Sequence, residues 1–299
     1  MAELQAWLDG MPSQDVSSVI RAYLDAGRNI PTGLDFKVGP GGWVADSPSL
    51  RVFLLDHLAR IDPAGAAEYA RAVLSSMDSP DEWTVSLRNY ALADSTPAGR
   101  TYLQQKVGEM LCHEPWQQNP SVGFLEAFDV AVYLGGTNLV PPLTDLIRKK
   151  DNRAVTHAAY LAMDRLTLRD AAATLGLLEA NPELMAGREV TRANFFARAN
   201  VENPREQAVV ESYLLNPSRS AEEVRAFAGL FPNANYMVSH NLLTRVETPT
   251  ADQIARRDQA ALRVVEGWLT DPRFAGLQPH LQQVKNRLER FVGSDRSGR

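Results

Sequence analysis

A small polar residue followed by proline recurs along this 299-residue chain. The pairs are Ser47-Pro48, Asp62-Pro63, Ser79-Pro80, Asn119-Pro120, Asn181-Pro182, Asn203-Pro204, Asn216-Pro217, Thr248-Pro249 and Asp271-Pro272. The polar side chain can accept a bond from an orphan N–H of a first helical turn. Proline fits the first helical position, where its missing donor costs nothing. Some of these pairs suit turns equally well. Their number still points to a chain of many helices rather than one barrel or sheet.

The segments between the pairs carry helical periodicity. SPSLRVFLLDHLARI sets Leu50, Phe53, Leu54, Leu58 and Ile61 on one face, and DPAGAAEYARAVLSSM does the same with Ala66, Ala70, Val73, Leu74 and Met77. SPDEWTVSLRNYALAD and PAGRTYLQQKVGEML repeat the pattern. Prolines 48, 63, 80 and 97 fall 15 to 17 residues apart, the length of a three-turn helix plus a short connection. Successive amphipathic helices with short connections pack as antiparallel neighbours.

From 120 the order is an apolar helix, a Gly135-Gly136 stop, a helix over NLVPPLTDLIRKK, a short Asp/Asn turn and a helix over DNRAVTHAAYLAMDRL. This step, clearest over 120–180, resembles the HEAT-like repeats of α-solenoids. The resemblance is to an architecture; the repeat length drifts elsewhere and no residue recurs at a fixed offset. It implies an all-α fold of stacked antiparallel helix pairs in which no pair buries its apolar face alone. The expected organisation is cap helices and a glycine-rich loop over 1–46, a helical-repeat domain over 47–292, and a flexible tail over 293–299.

Residues 28–46, RNIPTGLDFKVGPGGWVAD, interrupt the pattern. A stretch this long without helical period suits a structured Ω-loop, a short hairpin around Phe36–Val38 and Trp43-Val44, or a binding element. It is no phosphate loop, since the Gly-Lys-Ser/Thr ending is missing.

Composition narrows the classes. The net charge is −5, and apolar residues make up 44% of the chain, enough for a sizeable core. Residues 1–150 sum to −6 (12 basic, 18 acidic) and 151–299 to +1 (19 basic, 18 acidic). Neither half carries the concentrated positive field that backbone phosphate contacts require. No apolar run reaches a membrane-spanning length. The opening MAELQAWLDGMPSQD does not read as a signal peptide. Location is left open: cytoplasmic by default, exported if a leader has been removed. The single cysteine, Cys112, leaves no intramolecular disulfide framework or multi-cysteine metal cluster to expect.

Chemical motifs are sparse. Neither GxSxG nor HExxH occurs, and His113-Glu114 runs into Pro115. None of the five histidines lies four residues from another. Cys112 and His113 are adjacent, so on a helix their side chains diverge. Glu126 and Asp129 are three apart and can share a face with a neighbouring arginine.

The segment GREVTRANFFARANVENPRE interleaves Arg188, Arg192 and Arg198 with apolar anchors, and YMVSHNLLTRV adds His240 and Arg245. Arg188, Arg192, Arg198, His240 and Arg245 are the expected partner-binding ridge, because guanidinium forks suit carboxylates and phosphates. Lys37 and Trp43 of the glycine-rich loop form a weaker candidate site. The leading expectation is a non-enzymatic interaction or scaffold module that binds another protein or an acidic peptide, without cofactor or metal. Two alternatives stand beside it. One is a HEAT-like nucleic-acid binder or DNA glycosylase-like enzyme, with arginines 188, 192, 198, 245, 256 and 257 on one face. The other is an enzyme or assembly subunit with a dispersed site.

Overall fold

The computed structural model describes residues 2–235 and 241–294, and these are predominantly helical. They divide into two compact units. The first takes residues 2–134, 150–162 and 241–246; the second takes 135–149, 163–235 and 247–294.

The first unit opens with helices α1 (Ala2–Asp9) and α2 (Ser13–Asp25). A two-stranded antiparallel hairpin follows, β1 (Lys37–Val38) and β2 (Val44–Asp46), closed by a 3-10 turn at Pro40–Gly42. This is the hairpin alternative for the glycine-rich stretch. Then come α3 (Leu50–Ile61), α4 (Pro63–Val73), α5 (Pro80–Ala93), α6 (Pro97–Leu111), α7 (Glu114–Gln118), α8 (Val122–Glu126) and α9 (Phe128–Leu134). Helix α5 is the centre of this unit: α3, α4, α6 and α8 all pack on it. Its Trp83, Val85, Leu87 and Tyr90 are essentially sealed from solvent. Each such side chain contributes about 1.5–3 kcal/mol through burial.

The second unit contains α10 (Val140–Lys149), α12 (Ala171–Ala180), a 3-10 turn at Pro182–Met185, α13 (Glu189–Phe196), α14 (Pro204–Leu215), α15 (Ala221–Leu230), α16 (Ala251–Thr270) and α17 (Gln278–Ser294). Helix α11 (Arg153–Arg169) gives residues 153–162 to the first unit and 163–169 to the second. The longest helices of the second unit, α16 and α17, pack on each other; α13 packs on α15, and α12 on α14. A run of ring contacts stitches these elements together: Phe196 stacks on Tyr213 at 3.9 Å, Tyr213 meets Phe227, Phe227 meets Phe231, and Trp268 stacks on Phe274 at 5.5 Å. No helix among the described residues is long and apolar enough to cross a membrane. Of the expected tail, residues 295–299 lie outside the described residues.

The proline pairs mark helix starts in two ways. Asp62, Ser79 and Asn203 cap α4, α5 and α14 directly, with proline at the first helical position. In Ser47-Pro48-Ser49, Asn119-Pro120-Ser121 and Thr248-Pro249-Thr250 the cap is the residue after proline, which accepts from the N–H of Val52, Phe124 or Gln253. There the proline disfavours a helical conformation at the residue before it, and the hydroxyl closes the first turn.

Arginine does the corresponding work at helix C-termini. The last carbonyls of a helix have no intrahelical donor, and a cation there also meets the negative dipole end. Arg51 donates to Leu24 O at the end of α2 (2.9 Å), and Arg100 to Leu134 O at the end of α9 (2.5 Å). Arg188 donates to Ile147 O near the end of α10 (2.9 Å), and Arg287 to Ala228 O near the end of α15 (2.7 Å). Each of these arginines comes from a different helix or turn, so one side chain both caps and staples.

Candidate functional site

The expected ridge is not presented as a row of free guanidinium groups. Arg192 is 5% exposed, and its Nε and Nη2 donate to both carboxylate oxygens of Glu223 at 2.7 and 2.8 Å. Arg198, also 5% exposed, makes the same bidentate fork to Asp164, at 2.7 and 2.8 Å. Arg188 is half-buried and spent on Ile147 O. Arg245 is exposed but belongs to the first unit, on the segment 241–246. His240 lies outside the described residues. The correction has a simple physical cause. Helical spacing places these arginines on common faces, but those faces meet acids 31 and 34 residues away in sequence.

The glycine-rich loop is likewise locked. Lys37 is exposed on β1, while Trp43 is half-buried with Arg88 and Arg60 stacked on its ring at 4.6 and 4.8 Å. Both guanidinium groups reach Asp56, Arg88 through Nη1 at 2.5 Å and Arg60 through Nη2 at 2.7 Å. The amide of Val44 donates to the same carboxylate at 2.9 Å. Gly42 has φ +82, and a Cβ there would collide with the Leu242 carbonyl, so only glycine lets these backbones approach. Loop and Trp43 are thus held in place within the unit.

The segment 241–246 is tied to the same unit by Asp129, which accepts from the amides of Leu243 and Thr244 at 2.6 and 2.8 Å. Glu126, the other acid of the expected pair, makes no hydrogen bond or ion pair among the described residues and has no arginine partner. Burial, and then the charge of Asp129, push its carboxyl up to about 7. A carboxyl raised in the folded state binds its proton more tightly there than in the unfolded chain. Its protonated form therefore suits the fold, and stability declines as pH rises from about 4.5 to about 7, then levels off. Glu126→Gln is expected to abolish that decline, giving a higher urea midpoint than the parent at pH 8 and an equal one near pH 4. A parallel pH dependence in both proteins would contradict it.

Each unit holds an open cavity among the described residues. In the first unit a cavity of about 500 Å³ is lined by Arg51, Glu82, Asp25, Tyr69 and Asp78 among others. Its arginine is engaged: Arg51 Nε contacts both oxygens of Glu82 at 3.1 Å, and Tyr69 donates to Asp25. The second unit holds a cavity of about 370 Å³ beside the first turn of α16, lined by Gln253, Ile254 and Asn200 among others. Arg257 sits in its wall, with Nη2 donating to Ala199 O at 3.1 Å and to Arg198 O, the carbonyls just beyond α13. Its Nε is sealed and unbonded, whereas Nη1 is unbonded without being sealed. Burial and the neighbouring Arg198 charge lower its pKa. Exposed Arg256 is at the mouth and makes no bond among the described residues, with exposed Glu202 and Glu247 beside it.

In the sequence, Arg256 and Arg257 enter only the face expected of a nucleic-acid binder. Of the six arginines that face needs, Arg188, Arg192, Arg198 and Arg257 donate to groups of this protein. The signal that would have marked the cavity is the Arg256-Arg257 pair in the second turn of α16, after the Thr250 cap. Compared with family models, curated proteins and solved structures, the chain matches none.

Proposed function

We propose that the chain is a non-enzymatic interaction module of stacked HEAT-like helices that binds an acidic segment of another protein at the polar pocket of its second unit. The observation that carries this reading is the pair of unspent donors there, the whole guanidinium of Arg256 and Nη1 of Arg257, in a unit whose buried Arg192 and Arg198 are consumed by internal carboxylates. A partner's acid brought to them exchanges water for charge-assisted hydrogen bonds. The amino end of α16 adds a favourable dipole. Affinity capture from native cell extract tests the reading. Arg256→Glu, at an exposed and unbonded position, is expected to leave the melting temperature unchanged and to lose a partner that the parent protein retains. Identical capture profiles from the two proteins would refute the reading.

A further inference from the structure

We infer that the group received at the inner end of the second-unit pocket is a carboxylate and not a phosphate. The inference rests on the proposed use of that pocket and adds the chemistry of its ligand.

The donors there are few and directional. Arg257 has spent Nη2 on two backbone carbonyls and keeps Nη1. Asn200 is half-buried; its Oδ1 accepts from the Glu202 amide at 3.2 Å, and its Nδ2 has no partner among the described residues. An amide N–H and one guanidinium nitrogen can serve the two oxygens of one planar carboxylate. A tetrahedral phosphate would leave oxygens without donors beside Ile254, Pro249 and Ala234, the less polar lining. An unpaired acceptor in such surroundings is costly.

Charge points the same way. Arg256 and Arg257 are balanced by Glu202 and Glu247 in the same lining. A monoanion replaces water at the buried cation with little net charge imported. A phosphate dianion would face two carboxylates at the mouth, and like charges at close range repel. Those mouth carboxylates in turn favour a lysine or arginine next to the bound acid, so a segment of mixed charge fits better than a run of acids. The carboxylate can be an aspartate or glutamate side chain or a chain's C-terminus; the chemistry at Arg257 is shared.

The test follows the arginine Nε–Hε resonances of the full chain by NMR, with the Arg257 signal assigned by its absence in Arg257→Lys. The probes are a capped Lys-Glu-Lys peptide, its Lys-Gln-Lys counterpart, a Lys-Ala-Lys peptide as free acid or amide, and inorganic phosphate. The expected result is a saturable shift of the Arg257 signal with the Glu peptide or with the free-acid peptide, which separates the two sources. The counterparts without a carboxylate should give none, and phosphate should bind at least tenfold more weakly. Read at the Asn200 side-chain amide, which stays observable in every variant, Arg257→Lys should weaken carboxylate binding at least tenfold, and Arg256→Gln, which touches no internal bond, should weaken it severalfold whether or not Arg257→Lys folds. A response as strong to phosphate, an equal response to the Gln peptide, or no response to any probe would overturn the inference. A carboxylate response from a chain that captures no partner would uphold the pocket chemistry and remove the interaction reading.

Discussion

Replacing Arg198 by methionine is expected to lower the unfolding free energy by about 3–5 kcal/mol, the usual cost of stripping one partner from a buried ion pair. Asp164 would then be left at 3% exposure without its cation. Burial already raises the pKa of Asp164 and Arg198 opposes that rise, so without Arg198 the carboxyl is driven further up. The variant's deficit should therefore shrink as pH falls, because protonation of Asp164 removes the stranded charge. Above the unfolded-state carboxyl range the deficit should be largest. Urea unfolding of the parent and of Arg198→Met at pH 4 and pH 8 measures this. A double variant with Asp164→Leu should recover much of the loss, since removing both charges together avoids the stranded one. A loss under 1 kcal/mol in the single variant would return Arg198 to the exposed role its helical spacing suggests.

The contrast between what was readable and what was not lies in range. Caps and prolines act within four residues, so the starts of α4, α5 and α14 could be placed from local sequence. The hairpin at 37–46 was one of several readings, because its locking groups are remote: Arg88 reaches Gly42 O from 46 residues away. The ion pairs of Arg192 and Arg198 are remote in the same way. A helical wheel shows which side chains share a face, and it is silent on whether that face meets water or an acid on another helix. A better signal was present. Asp56 stands inside LRVFLLDHLARI and Asp164 inside an apolar stretch of α11, and both are buried. An acid in the middle of an apolar helical face cannot stay charged and unpaired. Such acids forecast buried arginine partners, and the arginines left over are the better candidates for recognition. That subtraction leads from Arg192 and Arg198 to Arg256, and to the one nitrogen of Arg257 that its bonds to Arg198 O and Ala199 O leave open.

The same logic gives the largest expected effect in the first unit. Asp56 is 2% exposed and holds Arg88, Arg60 and the Val44 amide at once. Asp56→Leu would leave the buried guanidinium of Arg88 without its counter-ion, and burial already lowers the pKa of that group. The cost should match that at Arg198, about 3–5 kcal/mol. It should also have a local signature. With the Val44 amide unpaired and the two cations around Trp43 no longer neutralised, the hairpin loses the anchor that holds it on α3. Amide exchange at Val44 and at its neighbours in β2 should accelerate more than exchange in α5. Asp56→Asn keeps an acceptor for Val44 and should fall between parent and leucine. Arg60→Ala should cost far less, because Arg60 is a third exposed and Arg88 still compensates the acid. Equal losses from Arg60→Ala and Asp56→Leu would contradict this, because they would make the outer cation, not the buried acid, the centre of the clamp.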